Sequence, residues 1–327
     1  MVKMQSLRCD PEYLEQLKVE IGSLPSEHPP EDDYPARRKM WEQVQVRRNA
    51  LIPETPNTIV TPYQIPVTGG CKINVYRICP GALLAKSPTG KPAVVFAHGG
   101  GMVLGTADYS VKWLAIVAAK CDIEIFSVEY RLAPEWPHPT PAEDCFAALK
   151  WVMDNAERFG IDKSRIAVMG ESAGGGLMAG VAIMARDRGL HPAIAKQILS
   201  SPMIDDRTIK GNPELEKFAV WKYHNNLDAW GALLGGRDKV GAEDTSPYAA
   251  AARVKSVAGL PPTYVEIGGL DIFRNEAVQY ARRIMDENID CELHLYPGVG
   301  HSFEYIAPYA SVSVRATENV YAALRSI

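Results

Sequence analysis

The chain has 327 residues, of which 46% are hydrophobic, with 35 Lys and Arg against 39 Asp and Glu and a formal net charge of −4. That length suits one α/β core with an insertion, or two small domains. The mildly acidic balance and scattered cations argue against nucleic acid or an acidic membrane surface as a partner. No apolar run reaches membrane-span length, and the start, Met1-Val-Lys-Met-Gln-Ser-Leu-Arg8, lacks the long hydrophobic stretch of a secretory leader.

Helical periodicity comes first. Over 10–24 it places Leu14, Leu17 and Ile21 on one face, and over 35–50 it places Met40, Val44 and Leu51 on another. Pro29-Pro30-Glu31-Asp32-Asp33 reads as a solvated link, and Arg37-Arg38-Lys39 and Arg47-Arg48 as an exposed helix face. Two strands are expected at 57–66 and 71–79, then a surface loop from Pro80 to Pro92. Further strands at 93–97, 123–128, 165–169, 196–200, 263–267 and 291–296 alternate with helical stretches. This rhythm predicts an α/β fold, a mostly parallel eight-stranded sheet with helices on both faces. The segment 203–247, which holds Trp221, Tyr223 and Trp230, interrupts the rhythm. It reads as a cap insertion that joins an N-terminal helical part, 1–52, over a core made of 53–202 and 248–327. Trp41 and Trp221 are assigned to packing rather than to the site. No internal repeat is visible.

Gly170-Glu171-Ser172-Ala173-Gly174 carries the chemistry. It follows the apolar run 165–169 and precedes a small-residue helical segment over 174–186. A serine at such a strand-to-helix turn is held in a strained backbone that lifts its hydroxyl clear of the sheet. Flanking glycines leave room for that turn. Upstream, His98-Gly99-Gly100-Gly101 follows the strand 93–97. Its glycines can bring bare N–H groups near the serine, where Gly100 and Gly101, with Gly99 supporting the turn and Ala173 adding its own N–H, would hold an oxyanion. His98 itself is expected to order the loop.

The base and its orienter are sought past later strands. Strand 263–267 runs into Gly268-Gly269-Leu270-Asp271, and strand 291–296 into Pro297-Gly298-Val299-Gly300-His301. Strand carboxyl ends are where open α/β sheets place their sites. The order Ser172, Asp271, His301 is the order an α/β-hydrolase uses. His301 would take the serine proton, and Asp271 would set its tautomer. Of the rivals, His28 and His138 lie in proline-rich stretches, His191 follows a helix end, His224 lies in a polar region and His294 sits within a strand. Asp290 and Glu304 flank His301 without a strand-end loop of their own, and Glu171 is expected to anchor the elbow.

Together, His98-Gly-Gly-Gly101, Tyr130-Arg-Leu-Ala-Pro-Glu135, Gly170-Glu-Ser-Ala-Gly-Gly175, Asp271-Ile-Phe-Arg-Asn-Glu276 and Gly300-His301-Ser-Phe303 resemble the hormone-sensitive-lipase-like branch of the α/β-hydrolases, over residue 57 to the C-terminus. The resemblance implies a carboxylester hydrolase that works through an acyl-serine, with no metal or organic cofactor. Met102 replaces the usual aromatic residue after the glycines, Ile272 the usual proline after the acid, and Asn275 the later acidic residue. These changes fall on the pocket wall and on loop stiffness. The family also contains plant hormone receptors that have lost the histidine. A small-molecule receptor, or an amide or lactone hydrolase, is therefore the alternative, and His301 favours an enzyme.

Six cysteines, at 9, 71, 79, 121, 145 and 291, are widely spread, with no C-x-x-C and no zinc spacing with histidine. They read as reduced, mostly buried thiols of a cytoplasmic protein. The expected partner is a small-molecule ester, and a homodimer is open.

Overall fold

The computed structural model describes residues 7–23, 29–30, 32–86 and 89–327. The leader reading at 1–6, His28 and Glu31 of the proline-rich link lie outside the described residues. Strands β1 (Thr58–Pro66), β2 (Lys72–Pro80), β3 (Lys91–Ala97), β4 (Glu124–Val128), β5 (Ile161–Glu171), β6 (Gln197–Ser200), β7 (Thr263–Gly268) and β8 (Cys291–Tyr296) form one sheet. Its order is β1-β2-β4-β3-β5-β6-β7-β8. β1 and β2 pair antiparallel, as do β2 and β4, and the remaining neighbours are parallel.

The central strands read as unbroken apolar runs because both of their faces are covered. The two-residue side-chain period divides each run between two cores. Ala93, Val95 and Ala97 of β3 face one core, while Val94 and Phe96 face the other. Ile166 and Val168 of β5 likewise oppose Ala167 and Met169. The helices Thr140–Asp154, Ala173–Asp187 and Arg274–Asp286 supply the first core, and Ala107–Cys121 and Ser311–Arg325 the second. Among the described residues no helix is long and apolar enough to cross a membrane.

Several local expectations change. The first helix, Pro11–Ser23, buries Tyr13 and Leu17, and Ile21 is exposed. The i, i+4 pair follows the docking direction of the helix, one residue off the face drawn from apolar spacing. On Tyr34–Leu51, Val44 is buried and Leu51 exposed. The cations of that helix are only in part a solvated face: Lys39 and Arg47 are exposed. Arg37 is buried, and Arg48 pairs with Glu20 at 2.7 Å while its guanidinium lies 5.6 Å from the Trp41 ring centroid. Arg38 donates from Nε to Val103 O at 2.8 Å and from Nη2 to Ala133 O at 2.8 Å. It also forms a two-pronged pair with Glu135 at 2.8 and 2.7 Å. The 80–92 stretch is more ordered than a loop. Gly81–Lys86 is a helix, and buried Lys91 opens β3 and donates to Glu124 Oε1 at 2.5 Å. All six cysteines are free, with Cys79, Cys121 and Cys145 buried and the other three half-buried.

Segment 203–247 contains the helix Tyr223–Leu234. Its Tyr223, Trp230 and Leu233 belong to the first core rather than to a core of their own. Asp206 ties the segment to the sheet side. It accepts from Arg253 at 2.7 and 2.9 Å and from the Gly241 N–H at 2.7 Å. Tyr34 Oη donates to Asp228 O at 3.5 Å and brings the second N-terminal helix against this segment.

Candidate active site

The site grows from the end of β5. Ser172 follows the strand directly and has φ 54° and ψ −120°, a region that non-glycine residues avoid. Such a conformation costs on the order of 1–3 kcal/mol and persists only where the surroundings enforce it. Here the Ser172 N–H donates to Ser200 O at 2.9 Å, and Ser172 O accepts from Met203 N at 2.9 Å and Gly176 N at 3.1 Å. The flanking glycines answer a steric need. A Cβ at Gly170 would stand 2.2 Å from Gly174 O, and one at Gly174 would stand 2.0 Å from Ala97 O. The turn therefore closes only with bare backbone on both sides of the serine.

β7 and β8 supply the other two groups. His301 Nε2 lies 2.9 Å from Ser172 Oγ, and His301 Nδ1 lies 2.7 Å from Asp271 Oδ2. The Asp271 side chain is fully buried, and its Oδ1 accepts from the Phe273 N–H at 2.9 Å. Arg274 Nη1 donates to Gly269 O at 3.0 Å and steadies the loop ahead of Asp271. The Phe273 ring meets the imidazole edge-on, with centroids 5.1 Å apart. Burial disfavours a charge on His301, but the Asp271 carboxylate and its hydrogen bond outweigh burial and raise the imidazole above its ordinary range. The three residues drawn from the sequence are thus brought together.

The glycine loop lies on the same spot. A Cβ on Gly99 would come within 3.2 Å of Ser172 Cβ. Gly100 and Gly101 have φ of 111° and 64°, and Gly100 O accepts from Val103 N and Leu104 N at 3.2 and 2.9 Å, which closes a tight turn. Ala173 opens the helix Ala173–Asp187, so its N–H has no intrahelical partner. His98 orders the loop. Its Nδ1 lies 2.7 Å from Gly99 O, and its ring stacks on Tyr130 with centroids 4.3 Å apart. Burial pushes its pKa down to about 4, so it stays neutral.

The rival residues lie elsewhere. His294 Nε2 lies 2.7 Å from Glu292 Oε1, and its ring stacks on Tyr296. His191, His224 and Asp290 are exposed, and the backbone of His138 bonds to Leu233 O at 2.8 Å. Glu171 accepts from Ser302 Oγ at 2.6 Å, which links the serine elbow to the residue after His301. Two substitutions take different places from those expected. Met102 is fully buried and lies where a Cβ on Gly176 would meet its Cε at 3.7 Å, so it packs on the elbow helix. Ile272 is buried in the first core.

Trp221, assigned to packing from the sequence, lies against the glycine loop. Its ring carbons lie 2.6 and 2.8 Å from where a Cβ on Gly101 would stand. The ring is aimed by Nε1 donating to Asn226 Oδ1 at 3.2 Å, and Asn226 Nδ2 donates in turn to Thr208 O at 2.6 Å. Nothing near position 221 in the sequence signals this contact, which joins residues far apart in the chain.

A family model described as alpha/beta hydrolase fold matches residues 94–305. The chain belongs to this family. It is 31% identical over 239 residues to an esterase, LipI, of Mycobacterium tuberculosis, covering 72% of this chain and 73% of that relative. It is 32% identical over 245 residues to the carboxylesterase NlhH of the same species, again covering 72% and 73%. Among solved structures, a bacterial heroin esterase superposes with a TM-score of 0.86 at 34% identity, covering 98% of both chains. An esterase of the archaeon Pyrobaculum calidifontis superposes with a TM-score of 0.83 at 28% identity, covering 98% of this chain and 99% of that one. The hormone-sensitive-lipase-like resemblance is borne out, and the protein is a carboxylester hydrolase.

Proposed function

We propose that this hydrolase cleaves small to medium acyl esters through an acyl-serine, with Ser172 as nucleophile, His301 as base and Asp271 as its orienter. The observation that carries the reading is the unbroken relay from Ser172 Oγ through His301 to Asp271, at 2.9 and 2.7 Å. Ser172 Oγ attacks the carbonyl carbon as its proton passes to His301 Nε2. The negative charge that gathers on the carbonyl oxygen meets the N–H groups of Gly100, Gly101 and Ala173, with Gly99 shaping the turn. Collapse breaks the ester bond, and the alcohol leaves with the proton from His301. Water then attacks the acyl-serine, His301 takes its proton, and return of that proton to Ser172 frees the acid.

Segment 203–247 and the N-terminal helices form the cap over this chemistry. Trp221 against Gly101 sets the wall nearest the oxyanion side and favours short and medium acyl groups. The six free thiols support a reducing, cytoplasmic setting. The test is a panel of p-nitrophenyl esters of graded chain length, run with the wild type and Ser172→Ala. We expect kcat/KM to peak at short or medium chains and Ser172→Ala to lose on the order of 10⁶ in kcat with an unchanged melting temperature. A folded Ser172→Ala protein with wild-type turnover removes the nucleophile, and a peak at long chains removes the acyl-size reading.

A further inference from the structure

Beneath the histidine loop lies a second group of acids that the hydrolytic steps do not use. Glu266, on β7, is fully buried. Its Oε1 accepts from Ser200 Oγ at 2.9 Å and its Oε2 from Tyr264 Oη at 3.0 Å. Glu304, three residues after His301, is the second residue of the short helix Phe303–Ile306, and its carboxyl interacts with that of Glu266. Glu304 Oε1 is sealed from solvent and accepts from no donor. No lysine, arginine or histidine among the described residues pairs with either carboxyl. Glu171, from the end of β5, adds a further negative charge facing Glu304.

Glu266 is buried and Glu304 is half-buried with one oxygen sealed from solvent, and two such carboxylates side by side do not both ionise readily without a cation between them. Glu266 already has two hydroxyl donors that favour its charged form, whereas the orphaned oxygen of Glu304 lacks any donor. A proton on Glu304 resolves both problems, because it removes one charge and supplies a third donor to Glu266. We propose that Glu304 and Glu266 share one proton, Glu304 donating to Glu266, and that this pair is a positioning device that holds the histidine loop so that His301 stays against Ser172. The proposal rests on the site reading above.

The route to His301 is short. Ser302 sits between His301 and the Glu304 helix with φ 50°, and its hydroxyl is tied to Glu171. Tyr305, in the same short helix, also faces Glu171, whose charge, after burial, helps to raise its phenol. Two phenols complete the surroundings, Tyr296 beside Tyr264, itself held by Asn319 at 2.8 Å, and Tyr13 from the first N-terminal helix. Two further titratable groups face the cluster: His294 on β8, opposite Glu266 in register, packs on Tyr264 with ring centroids 5.4 Å apart and lies 2.7 Å from Glu292, and Arg48 acts on Tyr305 from the second N-terminal helix. Burial raises both carboxyls above the ordinary range, Glu266 to about 7 and Glu304 well above its usual value. Loss of the shared proton at alkaline pH would set two like charges against each other and push the Glu304 helix, and with it His301, out of line.

The test uses the full chain with p-nitrophenyl butyrate. In Glu304→Gln the amide N–H₂ donates to Glu266 at every pH. We expect it to keep kcat within about threefold of wild type near neutrality and to lose the alkaline fall in kcat, or to move it by about one pH unit or more. Glu304→Ala leaves Glu266 without that donor, and we expect kcat to drop about tenfold with KM within about twofold. The second readout, the melting temperature against pH, does not depend on activity. A group with a raised folded pKa contributes stability at acid pH that is lost as pH rises through the folded value. Wild type should therefore lose stability as pH rises from about 4.3, the value of an unfolded carboxyl, through the raised folded values, and Glu304→Gln should lose less over the same range. Other buried acids contribute equally to both proteins and cancel in the difference. Superimposed melting curves overturn the shared proton whatever the activities. Superimposed alkaline limbs of kcat, or a fall in Glu304→Ala carried by KM alone, overturn the positioning role. An active Ser172→Ala also overturns that role by removing the site reading, while the melting curves go on deciding the proton.

Discussion

The strand-end side of the site is held by backbone, whereas the side facing it is held by side chains. Ser172 is locked by three main-chain hydrogen bonds and by two glycines whose neighbours leave no room for a Cβ. Asp271 and His301 stand on loops that leave adjacent parallel strands in register. Across from them, the glycine loop, Trp221 and the N-terminal helix meet through long side chains: Arg38 onto Val103 O, Ala133 O and Glu135, and Asn226 onto Trp221 and Thr208 O. Backbone contacts tolerate almost no substitution, and side-chain contacts tolerate many. The reacting side is therefore rigid by construction, and the opposite side is the part that can be rebuilt for another acyl group.

The largest blow to the rigid side, after loss of the serine itself, is Asp271→Asn. The amide would favour the wrong imidazole tautomer, and we expect kcat to fall by up to about 10⁴ with KM little changed. In wild type the raised His301 titration puts the acid limb of kcat/KM above the free-histidine value of about 6.5, with activity lost as pH falls through it. Removing the carboxylate should move that limb to lower pH. A pH–rate profile of both proteins measures the two effects together, and near-normal turnover in Asp271→Asn would mean that another acid orients His301.

Gly101→Ala tests the seam between the two sides. Its Cβ would run into Trp221 at 2.6 Å, at a φ that L-residues rarely adopt. Displacing one N–H from the oxyanion should lower kcat by about 10²-fold. Gly101→Ala combined with Trp221→Ala separates steric from backbone causes. Partial recovery in the double variant assigns the loss to the ring, and no recovery assigns it to the backbone.

The smallest effect is expected at Arg38, far from the reacting atoms. Arg38→Ala removes hydrogen bonds to two carbonyls and a half-exposed pair with Glu135. Such an exposed pair contributes little, so the loss should be about 1 kcal/mol, carried by the carbonyl bonds. It should appear as a melting temperature lower by a few degrees, with kcat on a short ester within about twofold. A large fall in kcat would show that the N-terminal helix shapes the oxyanion loop and does more than cover it.

The reading of the sequence succeeded where chemistry is local. The elbow glycines, the strand-end positions of Asp271 and His301 and the apolar strands all announce themselves through nearest neighbours and short periods. It went astray where the deciding contact is remote. Arg38 of Tyr34–Leu51 has the position of a solvated residue and is turned inward by the carbonyls of Val103 and Ala133. Ile21 fits the apolar spacing of its helix and faces outward because Tyr13 and Leu17 meet the loop after β8. Trp221 looked like packing for its own segment and instead lies on Gly101.

The sequence alone determined the alternation of strands and helices, and it placed the candidate serine, acid and base each at a strand end. These follow from backbone sterics and side-chain period, which act over a few residues. Only the tertiary structure decided that Arg38 and Trp221 close on the glycine loop and that Glu266 and Glu304 meet beneath His301. Those contacts join positions separated by dozens of residues, and no local preference encodes the docking of one element on another.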